Sequence, residues 1–135
     1  MNMKEFREEI IENYMRRWLK CVPSHIIEST SWETDSTGRI NVKGDVVIID
    51  IEMSILPFKF GKVDGCFYAA GIGLETLKNC PDEVEGYFCI DDNKLTDLNN
   101  APKRVGDAFF AYNQKVTLTA KDVRKVCEVV GEIWT

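Results

Sequence analysis

A chain of 135 residues, 44% apolar and 29% charged, is long enough for one domain with a substantial core and too short to favour two. Seventeen basic residues against twenty-two acidic ones leave a net charge of −5, which opposes the phosphate attraction behind most nucleic-acid affinity and excludes nucleic acid as an expected partner. Five cysteines without a CxxC pair, beside a single histidine, argue against a zinc site or a complete disulfide set, so reduced thiols in a cytoplasm are expected.

The chain opens on an amphipathic pattern. Phe6, Ile10, Tyr14 and Trp18 recur every four residues beside Ile11, Met15 and Leu19, which predicts a helix over Met3 to Cys21. Glutamates fill its first half and Arg16, Arg17 and Lys20 its second, an order that complements the helix dipole. Pro23 stops it. Its polar face mixes both signs instead of being basic, and no apolar run reaches the roughly 18 residues that span a bilayer, so no membrane partner is expected. His25 has no cysteine, aspartate or serine spaced to form a nucleophile with it.

Two short β-branched stretches follow, Ile26 to Trp32 and Arg39 to Val42, separated by the turn residues Asp35-Ser36-Thr37-Gly38. A hairpin is predicted. With the helix it forms an N-terminal cap over residues 1–43.

From Gly44 to Cys127 the chain divides into four windows of 21 residues that keep residue types at fixed offsets. Position three holds Val46, Phe67, Phe88 and Phe109, and position five holds Ile48, Ala69, Ile90 and Ala111. Position ten holds Met53, Leu74, Leu95 and Val116, position thirteen Leu56, Leu77, Leu98 and Thr119, and position twenty Val63, Val84, Val105 and Val126. A period of this size predicts a solenoid, whose units stack because none can bury its own apolar face. Alternation at positions three and five predicts one short strand in each repeat. Gly44, Gly65 and Gly86 at position one imply a tight bend or a close backbone approach, and Pro81 and Pro102 stiffen the return segment. Asn93 at position eight can satisfy backbone groups of the turn, but Ile51, Ile72 and Gln114 stand in its place elsewhere, so no regular asparagine ladder is expected.

The third window, GYFCIDDNKLTDLNNAPKRVG, joins an N-x-L-x-x-L core to A-P-K-x-V. With the lead-in GRINVKGDV and LPFKFGKVDG it resembles the leucine-rich-repeat-like units of small proteins of tailed bacteriophages and prophages, over Trp32 to Tyr112. That resemblance implies a parallel-stranded solenoid of phage or prophage origin acting as a binding scaffold, located in the host cytoplasm, with no catalytic residues carried over.

Thr117, Thr119 and Asp122 offer capping oxygens before Val123, Val126, Cys127, Val130 and Trp134, which repeat at helical spacing. A capping helix over residues 119–135 is expected. The predicted fold is thus α+β: a leucine-rich-repeat-like solenoid of parallel strands over residues 44–118, closed by caps at both ends.

With positions three and five inside, positions two, four and six face out. Val47, Tyr68, Cys89 and Phe110 then form one row, Asp45, Cys66, Tyr87 and Ala108 a second, and Ile49, Ala70, Asp91 and Tyr112 a third. A sheet surface this apolar, with aromatic anchors at Tyr68, Tyr87, Phe110 and Tyr112, predicts a protein-binding patch made by Val47, Tyr68, Tyr87, Cys89, Phe110 and Tyr112. Its occupant is a host protein, a second copy in a homodimer, or the N-terminal helix folded back. The expected function is a non-enzymatic binding module that modulates a host protein, for example as inhibitor of a host enzyme or defence factor, with no cofactor and no metal. A homo-oligomerising structural protein is the alternative. An enzyme using Cys89 or Cys66 as nucleophile, or the carboxylates Asp91, Asp92 and Asp97, ranks below both, because no basic neighbour activates either thiol. Asp91-Asp92-Asn93 lacks the ligand spacing of a calcium loop.

Overall fold

The computed structural model describes Asn2, Glu5 and residues 31–135. The expected N-terminal helix, His25 and residues 26–30 of the expected hairpin lie outside the described residues.

Short runs of valine, isoleucine and phenylalanine between charged or glycine-containing corners favour short strands with one buried side. The hairpin forms between β1 (Ser31–Thr34) and β2 (Ile40–Lys43), antiparallel, with Trp32 opposite Val42. Asp35 closes its turn, accepting from the backbone N–H of Thr37 at 2.8 Å and of Arg39 at 3.1 Å. β2 is more than a cap, because it also starts the coil.

Every turn of that coil contributes two strands where the sequence predicts one. After β2, the first turn adds β3 (Val46–Val47). The next three add β4 (Phe60–Val63) and β5 (Phe67–Tyr68), β6 (Glu83–Val84) and β7 (Phe88–Cys89), then β8 (Arg104–Val105) and β9 (Phe109–Phe110). A fifth adds β10 (Glu128–Val129) and β11 (Ile133–Trp134). One sheet stacks β1-β2-β4-β6-β8-β10 and the other β3-β5-β7-β9-β11, parallel throughout except for β1. Over residues 31–135 the structure is a β-solenoid of about five turns with one short helix.

Successive turns pair 21 residues apart: Val46, Phe67, Phe88 and Phe109 are direct neighbours across their sheet, as are Val63, Val84 and Val105 across the other. The columns at positions three, five and thirteen are buried as expected through Leu98 and Ala111. Inside, the Phe67 and Phe88 rings stack at 5.5 Å, Phe109 lies 5.1 Å beyond, and Phe60 closes the near end edge-on at 5.6 Å. Such contacts add about 0.5–1.5 kcal/mol each beyond the area they bury.

At the corner between the two strands of a turn, Gly65 N–H donates to Gly44 O at 3.0 Å and Gly86 N–H to Gly65 O at 2.9 Å. Only Gly44 needs a left-handed backbone, with φ of 116°. Gly65 is required for close approach instead, since a Cβ there would lie 2.6 Å from the Gly44 backbone. The left-handed residue common to all four windows is at position seven, where Asp50, Gly71, Asp92 and Asn113 have φ between 56° and 66°. Three are Asp or Asn, which tolerate this region better than other residues with a Cβ.

The C-terminal expectation is corrected. Helix α1 spans only Ala120–Val126, held by a capping box in which Thr119 and Asp122 exchange hydrogen bonds. The chain then re-enters both sheets, with Glu128 beside Arg104 and Ile133 beside Phe109, so the coil runs from Ile40 to Trp134 rather than over residues 44–118. Val126, expected to continue the position-twenty column, is exposed, and the buried Val129 takes its place. Val116, expected at position ten, is also exposed because the fourth turn diverts into the helix.

Candidate binding face

The two sheets present opposite kinds of surface. On the sheet begun by the hairpin, the outward row reads Lys62, Glu83, Arg104, Glu128 in register, alternating in sign from strand to strand. Ion pairs cross it: Lys62 Nζ lies 3.6 Å from a Glu85 carboxylate oxygen, and Arg104 Nη1 lies 3.8 Å from the other. Alternating charge directly opposite across strands is mildly stabilising and leaves a solvated surface.

The second sheet carries the predicted patch. Its register places Val47, Tyr68, Cys89 and Phe110 in one outward row, and β11 extends that row with Trp134, which is 54% exposed. Tyr87 meets Phe110 edge to face at 5.9 Å. Val47, Tyr68, Tyr87 and Phe110 are half-buried, and Tyr112 is 61% exposed.

Cys89 departs from the expected exposed row. It is only 5% exposed, lying between the larger Tyr68 and Phe110 of the flanking strands, and forms a floor beneath the aromatic side chains. Burial pushes its thiol up to about 11. Burial likewise raises Cys66, Cys80 and Cys127, the last to about 11, so these thiols stay protonated near neutrality, opposite to the depressed pKa of a nucleophilic cysteine.

The polar groups of this face are tied to the coil. Asp45 Oδ1 accepts from Cys66 N–H at 2.7 Å, Cys66 Sγ from Tyr87 N–H at 3.4 Å, and Asp91 Oδ1 from Tyr112 N–H at 2.6 Å, each reaching 21 residues along the chain. Asp92 accepts from Asn113 Nδ2 at 2.9 Å and Asp97 from Asn99 N–H at 2.9 Å. Each carboxylate considered for catalysis therefore has a backbone or side-chain donor to satisfy. No group of three His, Cys, Asp or Glu side chains able to hold a metal occurs among the described residues, and no helix among them is long and apolar enough to cross a membrane.

Trp134 is the residue of this face that helical periodicity hid. A signal for it exists: Glu128-Val129-Val130-Gly131-Glu132-Ile133-Trp134 repeats the pattern of Glu83-Val84-Glu85-Gly86-Tyr87-Phe88-Cys89. The spacing from the preceding turn is 24 residues in place of 21, which breaks the window count. Comparison with protein-family models, curated proteins and solved structures returned no match.

Proposed function

We propose that the protein is a non-enzymatic binding module that docks a protein partner on the outward face of the β3-β5-β7-β9-β11 sheet. The observation that carries this reading is the in-register row Val47, Tyr68, Cys89, Phe110, Trp134. Aromatic side chains on a rigid strand surface lose little conformational entropy on binding and commonly anchor interfaces. The opposite sheet presents charged side chains in its outward row, with Lys62 and Arg104 paired to Glu85, in place of an aromatic row. The likeness of the third window to phage and prophage repeat proteins supports a host protein as the partner, whose activity the module would modulate.

The test is a paired change, Tyr68→Ala with Phe110→Glu, in the full chain. Affinity capture should lose the specific partner recovered by the parent while the circular dichroism spectrum is retained; capture that survives both changes overturns the reading. Sedimentation of the two forms identifies a self-interface, for which the parent alone would be dimeric.

A further inference from the structure

A cavity lies at the corner leading into the β2-β4-β6-β8 sheet. Its volume is about 380 Å³, and Arg39, Lys59, Lys78 and Lys103 line it beside one carboxylate, Asp82. Four cations against one anion leave a surplus of three positive charges in a chain whose net charge is −5. Asp82 holds the two inner cations in place: Lys59 Nζ lies 2.9 Å from Oδ1 and Arg39 Nε 3.1 Å from Oδ2. Lys59 also donates to the Cys80 carbonyl, and Arg39 Nη1 to Thr37 Oγ1 at 2.8 Å. Lys78 and Lys103 have no carboxylate within 4.0 Å among the described residues. Asn100 lines the same wall with a left-handed backbone, φ 68°.

The contrast with the neighbouring surface matters. There Lys62 and Arg104 are paired with Asp64 and Glu85, whereas here positive charge is concentrated in a hollow and held by a single buttress. We propose that this corner is an oxyanion site that takes the phosphoryl group of a small phosphorylated ligand. Lys78 and Lys103 would supply compact point charges, and the braced Arg39 and Lys59 would supply oriented N–H donors. The volume falls within the range of small-ligand sites.

Inorganic pyrophosphate, titrated into the full chain at constant ionic strength and followed by amide and lysine side-chain NMR shifts, tests this. Saturable shifts confined to Arg39, Lys59, Lys78, Asn79, Asp82 and residues 100–103 are expected. Lys78→Gln with Lys103→Gln should weaken binding by about tenfold or more, since each removes a charge-assisted contact. Lys94→Gln, on a different part of the coil, should leave it unchanged. Absence of saturation, or equal weakening by Lys94→Gln, overturns the site. A phosphoserine peptide run in parallel separates the two sources of the same chemistry: tighter binding of the peptide than of pyrophosphate overturns assignment to a small ligand.

Discussion

Asn93 and Gln114, one turn apart, donate to the same carbonyl oxygen, that of Ile90, at 2.8 and 2.7 Å. Asn93 also turns its Oδ1 toward the backbone N–H groups of Ile72, Gly73 and Leu74, all within 3.1 Å, and Gln114 accepts from Leu95 N–H at 3.2 Å. The two amides are rungs of a short ladder that staples three turns along their inner edge.

Replacing Asn93 with alanine should therefore cost about 3 kcal/mol or more, because several buried backbone groups lose their only side-chain partner. Gln114→Ala, at a less buried rung, should cost distinctly less. Urea unfolding monitored by circular dichroism measures both, and equal losses would contradict the ladder.

Phe88→Ala should destabilise by about 3–5 kcal/mol, since its ring is fully buried between Phe67 and Phe109. Phe110→Ala, one residue from Phe109 but facing outward, should cost much less. The same unfolding experiment on the pair reports which side of the sheet is core.

Gly131→Ala should loosen the fifth turn alone. A Cβ at this position would lie 2.6 Å from the Asp107 carbonyl carbon and 2.8 Å from Ala108 N, backbone atoms that cannot swing aside. Turns of a solenoid contact mainly their neighbours. Hydrogen exchange should accelerate at Phe109 and Ala111, whose N–H groups donate to Glu132 and Trp134, while Phe67 and Ala69 stay protected.

The inner columns were legible because bulky apolar residues recur at fixed offsets and are buried there, as at Phe67, Phe88 and Phe109. The strands of the other sheet escaped because they show no alternation of apolar residues: Glu83-Val84 and Arg104-Val105 present only one buried valine between polar neighbours. The last turn was misread for another reason. Val123, Cys127, Val130 and Trp134 do fall at helical spacing, yet Val130 and Trp134 are exposed and belong to strand and corner. The face was legible in its rows; the submerged position of Cys89 was not, because it depends on the size of side chains on the adjacent strands.

The described thiols give a pH signature. Burial raises Cys80, Cys89 and Cys127 above the ordinary thiol value of 9.0. Above pH 9 the unfolded chain releases these protons while the folded chain retains them, so stability is fully present below pH 9 and falls as pH rises toward 11. The unfolding midpoint should decline over that window, and Cys89→Ser should flatten the decline. In the native protein near neutral pH, iodoacetamide should modify Cys66 faster than Cys80, Cys89 or Cys127; a fast Cys89 would contradict its burial.

The corner that carries α1 lengthens one turn from 21 to 24 residues, yet Glu128 and Ile133 still fall beside Arg104 and Phe109. With Val123 of α1 anchored in the core, strand registration thus survives three extra residues at that corner. It is the natural place for grafted sequence, such as an epitope or a reporter loop, to be added without altering the sheets on either side.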